Sequence, residues 1–375
     1  MAALLLFAAA CGGEEPEAEP TVEEAVESEA AEIERLKALA GDDAGALYDA
    51  GLALVRLGEP DAGLQKLEAA RELAPDMPAI HTALYLVYTM LGRPDDGIAT
   101  LERLVELDPE DTEAIAELSG LYVQRERLDD AQALLEEGFA RQPDSANLHA
   151  ARGTLNRKRE DLEGARQAFE RAVELDPSNA EAQFGLGGLA RRRGDLETAR
   201  RHFETALESN PTHIGSLLGM GSIAMDEEDY EQAGVYFLEV VRLDPRLFLA
   251  RRSLGNVLIL QGLYDEAVQL FEQGVRLEPQ NLDAHYYLGK AYLQRGFINK
   301  AEEKLEYVGR SDREYFPAYV ELARIYSLRG EVDRAYLALR RAVSYGFRDF
   351  ERIKSDPDFE TAVAYAPVSE LLKTE

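Results

Sequence analysis

The chain of 375 residues contains one cysteine, Cys11, and no tryptophan. A single cysteine cannot close an internal disulfide, so sulfur bridges hold no part of the fold and cysteine usage does not report the redox compartment. Positive charge is scarce: 41 Lys and Arg face 71 Asp and Glu, a net charge of −30. Docking on a phosphate backbone needs surplus Lys and Arg, which excludes DNA or RNA as the main partner. The spacings of metal and nucleotide chemistry are missing too. The five histidines, His81, His149, His202, His213 and His285, never fall in a ligand pattern such as H-E-x-x-H, and there is no phosphate loop. Gly219-Met220-Gly221 lies inside a helical stretch with no strand before it, so it is no dinucleotide loop. Carboxylates are abundant, but none is set apart as an acid–base pair. No alternating strand pattern or hairpin turn is visible. What is left is an all-α chain with no expected catalytic site, metal or cofactor.

What is present is a register. Pro75, Pro109, Pro143, Pro177, Pro211, Pro245 and Pro279 stand 34 residues apart. Such a run without insertion marks a tandem array, and a helical array of this period is a helix–turn–helix solenoid. With the proline at position 32, nine repeats cover 44–349: 44–77, 78–111, 112–145, 146–179, 180–213, 214–247, 248–281, 282–315 and 316–349. The last two carry Arg313 and Phe347 where the proline would stand. The proline cannot continue a helix and disfavours helix in the residue before it, so it ends the second helix. Asp111, Ser145, Asn179 and Asn281, two residues later, are placed to cap the next first helix. Gly58, Gly92, Gly194, Gly262, Gly296 and Gly330, at position 15, open the turn between the paired helices.

Positions 4, 7, 8 and 11 form one apolar stripe of the first helix, and 20, 24, 27 and 28 one stripe of the second. Leu288, Gly289 and Tyr292 show positions 7, 8 and 11; Ala165/Phe169, Ala199/Phe203, Ala233/Phe237 and Ala267/Phe271 show positions 20 and 24. These residues resemble the tetratricopeptide repeat, with its L-G-x-x-Y, A-x-x-x-F and late proline, over about four-fifths of the chain. Its usual Trp at position 4 is replaced by Leu47, His81, Ile115, His149, Gln183, Leu217, Arg251, His285 and Tyr319. The resemblance implies a right-handed superhelix with terminal capping helices. The fourth repeat is expected to be a soft joint, because His149, Arg152 and Asn156 stand at positions 4, 7 and 11, and polar groups there cost stability unless they find partners.

Both ends carry separate signals. The apolar run of residues 2–10 is too short to span a membrane as a helix, and Cys11 follows at once. Small residues before a lone cysteine, then a flexible tether, resemble a bacterial lipoprotein signal peptide, which implies that Cys11 is lipidated. The expected division is a signal segment 1–11, an acidic disordered tether 12–29 and a capping helix 30–43. The tether region is strongly acidic: Glu14 to Glu34 includes ten glutamates and no Lys or Arg. The alternative reading is an apolar N-terminus with an incidental cysteine. Residues 350–375 are expected to cap the last repeat, with Phe350, Ile353, Phe359, Val363 and Leu371 covering its apolar side.

Positions 2, 5, 9, 12 and 13 point away from the packed stripe of the first helix. The family resemblance implies that they line a concave groove that takes a protein or peptide. The candidate contact residues are Tyr48, Leu86, Arg157, Lys158, Phe184, Arg191, Arg192, Leu218, Arg252, Asn256, Tyr286 and Lys290. Apolar members mark a contact surface. Arg157 and Lys158, and Arg191 and Arg192, fall at the same positions of adjacent repeats, a basic step that either balances local acid or anchors an acidic stretch of a partner. Arg252 and Asn256 match the first pair of a known mode that clamps a chain-end carboxylate, but Tyr287, Pro317 and Glu321 break its remainder, so that clamp is not expected. The sequence therefore points to a non-catalytic interaction scaffold, lipid-anchored in the bacterial envelope and facing the periplasm, with membrane contact through its N-terminus alone. A helper subunit of an envelope assembly or secretion machine, and a cytoplasmic adaptor, are the alternatives.

Overall fold

The computed structural model describes residues 31–39 and 41–373; Cys11 and the expected signal and tether segments lie outside them. The chain divides into two compact units, Met1–Asp161 and Leu162–Glu375. Among the described residues every regular element is a helix.

The N-terminal unit begins with α1 over 31–38. Helical hairpins follow: α2 (Ala44–Arg56) with α3 (Pro60–Leu73), α4 (Pro78–Met90) with α5 (Pro94–Leu107), and α6 (Thr112–Gln124) with α7 (Leu128–Arg141). The last helix of this unit, α8 (Ala146–Lys158), packs on α6 and α7. The C-terminal unit opens with α9 (Leu162–Leu175). It continues with α10 (Ala180–Arg192), α11 (Leu196–Ser209), α12 (Ile214–Asp226), α13 (Tyr230–Leu243), α14 (Phe248–Leu260), α15 (Tyr264–Leu277), α16 (Leu282–Arg295), α17 (Ile298–Ser311), α18 (Phe316–Leu328) and α19 (Val332–Ser344). Three short helices, α20 (Phe350–Ser355), α21 (Glu360–Val363) and α22 (Ala366–Leu371), and a single 3₁₀ turn (Pro357–Phe359) close the chain. The turn, α21 and α22 pack on α18 or α19, where Ile353, Phe359, Ala362, Val368 and Leu372 are buried.

Local chemistry explains the helix limits. Asp111 caps α6 by accepting from the amides of Glu113 and Ala114, Ser145 caps α8, Asn179 caps α10 and Asn281 caps α16. All six position-15 glycines have positive φ, between 67° and 87°. In the other three repeats Glu126, Glu160 and Glu228 occupy the same turn at φ 59°, 65° and 62°. Packing follows the stripes. Phe203 of α11 is 1% exposed and lies between glycines of two first helices. A Cβ added at Gly187 of α10 would come within 2.5 Å of its ring, and one at Gly219 of α12 within 2.6 Å. Gly221 gives the same room to Phe237 at 2.6 Å, so the Gly219 and Gly221 pair serves two packed phenylalanines.

Position 4 holds a recurring hydrogen bond. His81, His149 and His285 direct Nε2 at the carbonyls of Pro75, Pro143 and Pro279, at 2.7, 3.1 and 3.0 Å. Gln183 Nε2 donates to Pro177 at 2.8 Å, and Arg251 donates to Pro245. The carbonyl of the proline that stops the second helix is met in these repeats by the polar residue six positions on. This also bears on the soft joint expected at α8. Arg152 Nη2 lies 2.8 Å from His149 Nδ1 and its guanidinium lies over the Phe139 ring at 4.4 Å. Arginine can only donate, so Nδ1 accepts and Nε2–H donates to Pro143. His149 and Arg152, at positions 4 and 7, have partners, so the expected weakness is left resting on Asn156, half-buried at position 11.

Candidate partner-binding face

The site residues stand on the first helix of each hairpin, turned away from the second. In the N-terminal unit Tyr48 is half-buried against the core that also holds Leu47 and Leu84. Leu86 and Met90, one turn apart on α4, are 55% and 58% exposed. Arg157 and Lys158 end α8 and are exposed. Lys158 pairs with Glu126 at 2.5 Å, and the neighbouring Arg159 with Asp129 at 3.2 Å. Arg157 has no carboxylate within ion-pair reach among the described residues.

In the C-terminal unit Arg191 pairs with Asp226 at 3.2 Å, whereas Arg192 is exposed and has no carboxylate in ion-pair reach among the described residues. Each basic pair thus contains one cation balanced locally and one left open. Phe184 is half-buried: its ring lies 6.0 Å from Phe203 and 5.3 Å from His213. Leu218 is likewise half-buried, packed on the cores around Phe237 and Val240. Of the five apolar or aromatic candidates only Leu86 stands exposed. Tyr48, Phe184, Leu218 and Tyr286, all at position 5, are partly covered, while Met90, Leu260 and Leu328, at position 13, are exposed. On this face the large exposed apolar side chains among the described residues are therefore Leu86, Met90, Leu249, Leu260 and Leu328, and the periodicity of a single helix could not reveal which positions its neighbour covers.

Three candidates converge on one ring. Arg252 lies 6.0 Å and Lys290 5.5 Å from the ring centre of Tyr287, and Tyr286 meets that ring edge-on at 5.1 Å. Asn256, one turn beyond Arg252, is half-buried. Burial holds the Lys290 ammonium below its ordinary pKa; Glu321 opposes that shift, and Arg352 and Arg324 add to it. Burial also raises the Tyr286 phenol, helped by Glu321. Below this cluster Arg324, 11% exposed, meets Glu321 at 3.3 Å, Asp356 at 2.8 Å and Asp358 at 3.6 Å, tying the C-terminal turn to α18. Tyr287 and Glu321, whose identities rule out the chain-end clamp, are structural members of this cluster. Their contacts involve three repeats and the closing segment, which no repeat motif records.

Helical hairpins stepping every 34 residues, with small residues at positions 8 and 20 against a buried position 24, define an α-solenoid of tandem repeats. Tetratricopeptide-repeat models match residues 54–118, 88–155, 151–214 and 214–247, and a TPR-repeat model matches 255–296. The chain belongs to the tetratricopeptide-repeat family. No curated protein matches it. Among solved structures it is similar to a chain of the APC/C hetero-tetramer Cut9–Hcn1, with a TM-score of 0.65 at 16% identity over 88% of this chain and 62% of that one. It spans about three-fifths of that relative. It is also similar to PilF of Pseudomonas aeruginosa (TM-score 0.47, 19% identity, 55% of this chain and 94% of that). A tetratricopeptide repeat protein of Parabacteroides merdae gives a TM-score of 0.46 at 22% identity, over 67% of this chain and 98% of that. At these identities the likeness is one of fold.

Proposed function

We propose that the chain is a non-catalytic scaffold that holds a segment of a partner protein along the exposed face of its first helices, tethered to a bacterial envelope membrane through Cys11. The fold is that of a protein-interaction scaffold. The observation that carries the finer reading is that Leu86 and Met90, both more than half exposed on α4, share the N-terminal unit with Arg157, and that Arg157 and, in the C-terminal unit, Arg192 have no carboxylate in ion-pair reach among the described residues. Apolar side chains in a row on a charged protein are costly to leave in water and mark a contact surface. The partner segment supplies apolar side chains for the first and acidic ones for the second.

The test uses the full chain and a partner captured from native membranes. Leu86→Glu with Met90→Glu, and separately Arg191→Glu with Arg192→Glu, are expected to weaken that partner's binding by at least about tenfold each. A charge reversal on an exposed second-helix site, Arg276→Glu, is expected to leave it unchanged. Equal binding by all variants, with circular dichroism showing a folded array, places the contact on another surface.

A further inference from the structure

A cavity of about 500 Å³ opens between the second helices α3 and α5, with His81 and Tyr88 of α4 in its lining. Its size is that of a ligand site. Positions 4 and 11 put these two residues on the packed side of α4, away from Leu86 and Met90. Three arginines and three acids share the lining, so the cavity carries no net charge that would select an ion. Arg93 pairs with Asp96 at 2.7 Å, and Arg103 with Asp76 and Glu106 at 2.5 and 2.8 Å. The third arginine, Arg71, is half-buried and makes no ion pair or side-chain hydrogen bond among the described residues.

Elsewhere in this chain a position-4 histidine is covered by a ring. His149 meets Phe139 edge-on at 4.9 Å, and the Arg152 guanidinium lies over the same Phe139 ring at 4.4 Å. His285 meets Tyr307 at 4.4 Å. Phe139 stands at position 28 of the preceding repeat, and Tyr307 at position 26 of the histidine's own repeat. For His81 those two positions hold Arg71 and Arg103, both in the cavity lining, and among the described residues no ring contacts this histidine. The site of His81 thus has a histidine and an open guanidinium, as in the fourth repeat, but lacks the ring that they share there.

We propose that this cavity is a second contact site, which takes one uncharged aromatic side chain from a partner segment. The ring packs against His81, as Phe139 does against His149, and Arg71 lies over it. A buried ring beside a second ring and a guanidinium gains more than its area alone returns. The site goes beyond the first-helix face and shares with it only the reading that the chain binds protein.

The full chain, with ¹³C-labelled histidines, is titrated with the capped peptides Ac-Gly-Ser-Phe-Ser-Gly-NH₂ and Ac-Gly-Ser-Leu-Ser-Gly-NH₂. The resonance of His81 is assigned through His81→Gln, which keeps a donor for Pro75 as Gln183 does for Pro177. The Phe peptide is expected to shift the His81 signal saturably by ring current, and the Leu peptide to bind about tenfold more weakly. Arg71→Phe restores an internal ring and Ala99→Phe fills the cavity from α5, and each is expected to abolish the shift in a chain that circular dichroism shows to be folded. Leu86→Glu with Met90→Glu is expected to leave it. An unmoved His81 signal, equal binding of the two peptides, or a shift that survives the fillings overturns the proposal. If His81 stays unmoved while the captured partner depends on Leu86 and Met90, the cavity fails and the scaffold reading stands. If the Phe peptide moves His81 while the captured partner ignores every first-helix substitution, the first-helix contact fails and the cavity stands.

Discussion

Position 15 turns each hairpin through left-handed backbone, a conformation in which a side chain costs about 1–2 kcal/mol. Six repeats place glycine there, but Glu228 adopts φ 62°, its side chain making no hydrogen bond or ion pair among the described residues. Glu228→Gly is therefore expected to raise stability in urea by about 0.5–1 kcal/mol, the strain relieved outweighing the extra freedom of the unfolded chain. A second residue-scale effect sits at His202, whose Nδ1 lies 2.7 Å from Gln183 Oε1 while Gln183 Nε2 donates to Pro177. Burial, with Arg201 beside it, holds the His202 pKa below its ordinary value of 6.5. The folded state thus resists the proton that the unfolded state accepts. The stabilising contribution is whole above about pH 6.5 and is lost as pH falls through the folded value. Urea unfolding at pH 7.5 and 5.5 is expected to show a smaller difference for His202→Gln than for the parent chain; an equal difference would place the pH dependence elsewhere.

Elements differ in how they are held. Most hairpins rest on apolar stripes, whereas the closing segment is joined to α18 by charge as well as by Ile353 and Phe359. Arg324→Leu leaves Glu321 buried with only Arg352 at 3.6 Å, and losing one partner of a buried pair costs about 3–5 kcal/mol. In a one-dimensional array that loss stays local. Hydrogen exchange is expected to quicken across residues 350–372 and to stay unchanged across 196–243. Uniform quickening would mean that the C-terminal unit unfolds as one body. The closing helices were partly legible in the sequence, since Ile353 and Phe359 keep an apolar spacing past the last repeat. The full ion cluster was not: Glu321 and Arg324 are neighbours on α18, but Asp356 and Arg352 reach them only when the closing segment folds back on that helix.

At the scale of the whole molecule, the described residues contain no helix long and apolar enough to cross a membrane, so the proposed tether rests on Cys11. In a native host, Cys11→Ser is expected to abolish palmitate labelling and move the chain from the membrane to the soluble fraction. Labelling that survives the substitution would refute lipidation at this cysteine.

The sequence by itself determined the helical class, the period and the limits of the hairpins. Those depend on residues read locally: a proline that cannot donate, an Asp, Ser or Asn that caps, a glycine that turns, a stripe that repeats every 3.6 residues. It also marked position 24, held by Phe203, and position 8, held by Gly187, as packed, because size complementarity recurs with the repeat; Gly219, at position 6, was not in that stripe. Only the tertiary structure decided which first-helix positions remain in contact with water and which cations keep a counter-ion. Phe184 and Tyr286 read as open but are half-buried by neighbouring first helices, while Met90, Leu260 and Leu328 stand out. Lys158 and Arg191 have acids, and among the described residues Arg192 and Lys290 have none in ion-pair reach. Burial and ion pairing are properties of side chains some 30 residues apart, set by how one repeat stacks on the next, and a periodic sequence repeats the stacking without recording its local exceptions.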